Sequence, residues 1–219
     1  MTMIMRHLRS SRLLIPAMVM LTTQFSAFSQ TLKDVFTNSE TPVFFYGVDF
    51  TKTKLIDDPA TNVSDIRDRQ FAGINAFIIA EPEKFDLKSA FNRTVEHDPT
   101  EVNSRNEKVN TEAIKSYSSS DFTRLKEADI QELIKGFDGG GKKGVGLLFI
   151  VEAMSKSAKA MAVWVTLFDP KTRKVLMTER MEGKPGGFGF RNYWSAAIRD
   201  VIIDIKKKKY SEWKKKYGS

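Results

Sequence analysis

Apolar positions along this chain fall into blocks of two different periods, separated by polar stretches. Residues 43–50, Val-Phe-Phe-Tyr-Gly-Val-Asp-Phe, are dense in aromatic and β-branched types and precede a turn-prone stretch at Asp57, Asp58 and Pro59, which predicts a first strand. Ser64 is placed to cap a following helix whose apolar face is Ile66, Phe71, Ile74, Phe77 and Ile78. Pro82 opens a second short helix carrying Phe85, Leu87 and Phe91. Residues 92–122 are polar, with isolated anchors such as Val102, Val109, Ile114 and Phe122, and read as a mobile excursion or as a weak helix around Thr111 to Tyr117. A firmer stripe, Leu125, Ile130, Leu133, Ile134 and Phe137, predicts a helix stopped by the glycines from Gly136 onward.

The C-terminal third has strand character before it returns to helix. Gly144 to Glu152 is nearly all apolar, Met161 to Phe168 alternates around Trp164, and Val175 to Met181 follows a turn on Asp169, Pro170 and Lys171. On the first of these, Val145, Leu147, Phe149 and Val151 point one way and Leu148 and Ile150 the other, so both of its faces need cover. Trp194, Ala197, Ile198, Val201 and Ile205 mark a closing helix. The expected fold is α/β of the α+β type: a single, mainly antiparallel sheet of about four strands in the order β-α-α-(α)-α-β-β-β-α, with helices mostly on one face. The second face is left to the 92–122 excursion or to a partner.

Residues 1–29 read as a cleavable export signal. Arg6, Arg9 and Arg12 precede an apolar run from Leu13 to Leu21, and Ala27 and Ser29 supply small residues for a cut before Gln30. The run is too short to span a bilayer. The expected address is the periplasm, with secretion as the alternative, and residues 30–219 form one domain. Past the signal, 32 Lys and Arg stand against 27 Asp and Glu, and the excess is held by residues 204–219, with seven lysines against Asp204 and Glu212. A neutral body argues against nucleic-acid binding, which needs a broad basic face. The chain has no cysteine, which removes disulfides, thiolate metal sites, cysteine nucleophiles and lipoprotein processing together. His97 is the single histidine beyond the signal.

No catalytic, metal or cofactor site is expected from these residue types. Gly136 to Lys143 nearly spells a phosphate-binding loop, but Lys143 stands where a hydroxyl would ligate magnesium, and the loop follows a helix instead of leading into one. Asp49, Glu81, Glu152 and Glu179 lie in or beside apolar elements without defining an acid–base pair. Two binding surfaces are expected instead. In the first, Lys184, Gly186, Gly187, Phe188, Gly189, Phe190 and Arg191 follow a strand and lead into the last helix, as an anion-binding concavity requires. In the second, Lys206, Lys207, Lys208 and Lys209 and then Lys214, Lys215 and Lys216 alternate with Tyr210, Trp213 and Tyr217 on one helix face, suited to an anionic membrane surface or an acidic partner.

Several runs resemble known families. A strand ending in Gly47-Val-Asp-Phe50, then "GLLFIVEAM", "MAVWVTLFD", the "DPKTRKVL" turn and a closing helix are similar to the small α/β domain of envelope assembly proteins of the CsgG, LpoB and TolB N-terminal kind. In those families a glycine often stands where Arg173 and Lys174 lie here. The segment "GKPGGFGFRNYW", residues 183–194, resembles a family of small exported Gram-negative bacterial proteins. Neither resemblance brings a catalytic residue, and the chain shows none of the membrane-spanning hairpins of secretion pores. The expected function is that of an exported, non-enzymatic periplasmic binding or assembly-accessory protein of the cell envelope, acting on an envelope protein partner or by self-association through an exposed sheet face, the glycine-rich corner and the basic tail. The alternatives are a peripheral membrane- or wall-associated protein held by the basic tail, and a carboxylate-dependent hydrolase.

Overall fold

The structure, a computed structural model, describes residues 32–59 and 61–218. The expected export signal lies outside them. Among the described residues, β1 (Val43–Asp49), β2 (Lys54–Ile56), β3 (Val95–His97), β4 (Lys115–Ser116), β5 (Val145–Ser155), β6 (Ala160–Asp169) and β7 (Lys174–Gly183) join in one seven-stranded sheet. The helices are α1 (Leu32–Thr37), α2 (Val63–Asp65), α3 (Phe71–Ala80), α4 (Leu87–Phe91), α5 (Thr100–Asn106), α6 (Thr111–Ile114), α7 (Glu127–Lys135), α8 (Phe190–Asp204) and α9 (Tyr210–Tyr217). π turns at Ile66–Gln70 and Ile205–Lys209 run into α3 and α9 respectively.

The sheet corrects the expected one in number and direction of strands. Four of its six pairings are parallel: β1 with β3, β1 with β5, β2 with β4 and β2 with β5. The β5–β6–β7 meander is antiparallel, joined by short connections at residues 156–159 and 170–173. Parallel neighbours need a long crossover, which the helix-bearing segment between β1 and β5 supplies. No local turn signal reports such a pairing, and a reading built on hairpin turns misses it.

β1 and β2 lie end to end along one edge of β5, whose other edge is taken by β6. Asp49 pairs with Ile150 and Lys54 with Ala153, so the stretch between them is longer than its partner and bulges out. The Thr53 hydroxyl donates to the Val151 carbonyl at 3.1 Å and fills the gap in the ladder. A second irregularity sits at Gly47, whose φ is +110° and whose absent Cβ would lie 2.7 Å from Asn75 Oδ1. Because β3 pairs only with the first residues of β1, side-chain amides finish that edge. Val48 N–H donates to Asn75 at 2.7 Å, Phe50 N–H donates to Asn106 at 2.7 Å, and both amides donate back to Val48 O.

Helices cover both faces, which corrects the expectation of a mostly one-sided arrangement. On one face Val145, Leu147, Phe149 and Val151 pack with residues of α3, α4, α8 and α9. On the other Leu148, Ile150, Tyr46, Trp164 and Phe168 pack with Val102 of α5, Ile130, Leu133 and Ile134 of α7, and Phe137. The stripe read from residues 125–137 makes most of this second layer, and the polar 92–122 stretch adds Val102 to it while its Val95, Val109 and Ile114 pack on the first face. That polar stretch carries β3, α5, α6, β4 and a 3-10 turn at Ser119–Thr123. Three of its scattered apolar residues, Val102, Val109 and Ile114, are buried anchors, whereas Tyr117 is exposed.

Candidate functional site

The glycine-rich corner is built where β7 runs out against α8. At Gly183 a Cβ would stand 2.0 Å from the Ala197 carbonyl oxygen, so strand and helix meet at a distance only glycine permits. Lys184 N–H donates to Asp200 at 2.9 Å, Gly186 N–H to the Tyr193 carbonyl at 3.1 Å, and Tyr193 N–H to the Gly189 carbonyl at 2.9 Å. These bonds bracket a tip in which Gly187 and Gly189 have φ of +90° and +79°. Phe188 stands on that tip 95% exposed, whereas Phe190 folds back edge-on to Trp194 with ring centroids 6.4 Å apart.

Beside the tip is a hollow of about 440 Å³, lined by Phe188 to Asn192 and by Arg69, Gln70 and Gly73. The Arg191 guanidinium lies 5.0 Å from the centroid of the Phe77 ring, which orients it. Arg69 pairs with Asp65, and Gln70 donates to the same carboxylate at 3.1 Å. The Arg69 hydrogen bond, helped by Gln70, holds the Asp65 carboxyl below its usual range. Of the seven loop residues singled out in the sequence, Phe188, Gly189, Phe190 and Arg191 line the hollow. Lys184, Gly186 and Gly187 shape or flank the corner without lining it. Arg69, Gln70 and Gly73, over a hundred residues upstream, escape a reading of the local segment. Gly73, inside a helix and with its absent Cβ 3.6 Å from Arg191 Cδ, is the one local feature that could have pointed to them.

The tail is placed differently from its expected role. A π turn at Ile205–Lys209 carries the chain from α8 into α9, with the Tyr210 N–H donating to the Ile205 carbonyl. Trp213 is buried and donates through Nε1 to Glu179. Tyr210 and Tyr217 pack on Phe36 of α1 with centroids 5.6 and 6.2 Å away. Of the three aromatics of the expected tail surface, Trp213 is thus buried in the body of the protein and Tyr210 and Tyr217 are half-buried against it. Lys206, Lys207, Lys208, Lys214, Lys215 and Lys216 remain exposed, Lys206 paired with Asp86 at 2.9 Å and Lys208 facing Glu212 at 3.9 Å. Lys209 is partly covered and reaches Glu179 at 2.7 Å. Burial by itself would raise the Glu179 pKa, but hydrogen bonds from Lys209 and Trp213 bring it below its ordinary value.

The remaining candidates are structural. Asp49 and Glu152 are fully buried ion-pair partners of Arg105 at 3.0 Å and Arg180 at 2.9 Å, respectively. Glu81 is exposed past the end of α3. The Gly136–Lys143 loop is a helix-to-strand connection in which the Tyr46 hydroxyl donates to Gly139 O at 2.7 Å, and burial pushes that phenol well above its usual pKa. Lys142 is tied to Asp98 at 2.6 Å and lies over the Phe44 ring. Among the described residues no three His, Asp or Glu side chains gather as a metal site would require. No described helix is long and apolar enough to cross a membrane.

No protein family matches the chain, and no curated protein matches it. Among solved structures, the chain is similar to the lipoprotein GNA1162 from Neisseria meningitidis, with 14% identity, 76% of this chain and 97% of that chain covered, and a TM-score of 0.30. So loose a likeness establishes neither a shared fold nor a shared role.

Proposed function

We infer that this chain works in the cell envelope as a binding or assembly-accessory protein whose contact surface is the glycine-rich corner. The observation that carries this reading is Phe188, 95% exposed on a glycine-flanked tip beside a hollow lined with Arg69, Gln70, Arg191 and Asn192. A large aromatic side chain left in water is a standing cost that binding relieves. Catalysis finds less support, because the two most buried carboxylates are each held by an arginine and by further donors. The tail has lost its aromatic face to packing, so its lysines supply charge alone.

A photo-crosslinking side chain placed at position 188 and expressed in the producing cell tests the reading. A discrete crosslinked envelope component, absent when the same group sits at Lys143 on the far loop, supports it. Equal labelling from both positions, or none from 188, overturns it.

A further inference from the structure

The described residues leave two large hydrophobic side chains strongly exposed, Phe188 at 95% and Tyr117 at 73%. The sheet brings both to one end of the molecule. Tyr117 follows Ser116, Ser116 pairs with Ile56, and Ile56 pairs with Ser155 at the end of β5. The next residue, Lys156, places its ammonium 4.1 Å from the centroid of the Tyr193 ring, in the first turn of the helix that Phe188 precedes. Cations at this end are Lys156, the exposed Lys159 of the β5–β6 hairpin, and Arg69 and Arg191 at the hollow, and among them stand Asp57, Asp121 and Asp65, which accept from Ser157, Ser116 and Arg69 respectively.

The surroundings of Phe188 decide what kind of surface it meets. A protein-binding hot spot sits at the centre of a broad, well-packed patch of roughly 800 Å² per side, ringed by contacts that exclude water. Phe188 is flanked by Gly187 and Gly189, and a Cβ built on Gly189 would touch nothing within 4 Å. Guanidinium and amide groups lie beyond them. A lipid headgroup layer imposes no shape match. It admits a lone ring at its acyl boundary, seats a tyrosine at headgroup level, and offers phosphates to arginine and lysine.

We propose that this end of the sheet is a membrane-contact tip for an anionic lipid surface, with Phe188 entering the headgroup–acyl boundary, Tyr117 resting at headgroup level, and Arg191 taking lipid phosphate. The proposal rests on the corner being the contact surface and names lipid as what it meets. Arg69, shared with Asp65, and Lys156, held over Tyr193, add positive charge with less freedom than Arg191.

The absence of cysteine makes the test clean, since one introduced thiol carries one environment-sensitive fluorophore. The protein from Gln30 onward, which holds every described element, is labelled through Phe188→Cys, Tyr117→Cys or Lys143→Cys and mixed with phosphatidylglycerol or phosphatidylcholine vesicles. Labels at 188 and 117 are expected to shift to the blue with phosphatidylglycerol while the label at 143, at the opposite end of β5, stays aqueous. In the unlabelled protein, Phe188→Ser is expected to weaken vesicle binding about tenfold or more. Arg191→Gln is expected to weaken it about fivefold. An aqueous label at 188, an equal response to the uncharged vesicles, or a matching shift at 143 overturns the proposal. A silent vesicle assay beside a discrete protein crosslink from 188 refutes the lipid contact and leaves the corner as the binding surface, whereas silence in both refutes the two together.

Discussion

Glu152 offers the sharpest test of how the sheet is held to its second helical layer. Its carboxylate is fully buried and accepts three bonds: from Leu125 N–H at 2.5 Å, Trp164 Nε1 at 3.2 Å and Arg180 Nε at 2.9 Å. Arg180 continues outward to Glu182 and the Phe122 carbonyl, each at 2.7 Å, and lies over the Phe122 ring. One carboxylate therefore ties β5, β6 and β7 to the segment entering α7. Glu152→Met keeps the volume and removes the acceptor from three donors. Breaking a buried pair from one side costs about 3–5 kcal/mol. Arg180 is partly exposed and keeps two acceptors, which places the expected loss near the lower end, about 3 kcal/mol. For a chain of this size that lowers Tm by roughly 6–12 °C. In the double variant Glu152→Met/Arg180→Met the second substitution removes a cation that has already lost its partner, so the combined loss should fall short of the sum by about 1.5 kcal/mol or more. Urea unfolding followed by far-ultraviolet circular dichroism, whose signal comes mainly from the backbone, measures all three. A single-variant loss below about 1 kcal/mol, or additivity within about 0.5 kcal/mol, would refute the reasoning.

Backbone conformation yields two further expectations with opposite signs. Arg173 closes the β6–β7 turn at φ +58°, and its distal contacts are marginal, at 3.4 Å to Lys135 O and 4.0 Å to Asp138. Arg173→Gly should stabilise the protein by about 0.5–1 kcal/mol in a thermal melt, and a lower Tm would count against left-handed strain at this position. Gly47→Ala should destabilise it by about 2 kcal/mol or more, since the new Cβ meets Asn75 and Val102 at 2.7 and 2.8 Å in a conformation alanine avoids; unchanged urea unfolding would contradict that packing. The tail should loosen in acid. The folded Glu179 pKa lies below its ordinary 4.5, so the stabilisation it provides is complete above about that pH and disappears as pH falls through the folded value. Proteolytic nicking of residues 205–217 by pepsin should therefore rise steeply below pH 4 in the parent protein, and Glu179→Gln should remove most of that dependence. Asp86 caps α4; bonds from Ser89 and then Lys206 lower its pKa to about 2, so its contribution, present above roughly pH 4, fades only towards pH 2. Asp86→Asn should flatten the acid limb of a stability–pH curve in that window.

The individual elements were legible because each carries its own period. β5 shows its two apolar faces in the alternation of Leu147, Leu148, Phe149 and Ile150, and α7 shows its stripe at Ile130, Leu133 and Ile134. The β6–β7 turn is equally local: Asp169 accepts from Lys171 and Thr172 N–H at 2.8 and 2.9 Å, as a turn-initiating aspartate does. The glycine cluster at 183–189 marked a tight corner, and the absence of cysteine excluded whole classes of chemistry before any geometry was known.

Other properties belong to the tertiary structure, because they depend on which distant residues meet. The parallel placement of β1 beside β5 is settled by about a hundred residues of intervening chain and by the need to bury both faces of β5, and no local turn encodes it. The same holds for Asn75 and Asn106, polar residues in helical segments whose amides complete the β1 edge. It holds also for Tyr210, Trp213 and Tyr217, whose spacing on one helix face is the same whether that face meets lipid or α1 and Glu179. Arg69 and Arg191 share a hollow only because α3 packs against α8. A side chain's type and spacing set what it is able to do, and burial and the neighbour it acquires decide which of those possibilities is used.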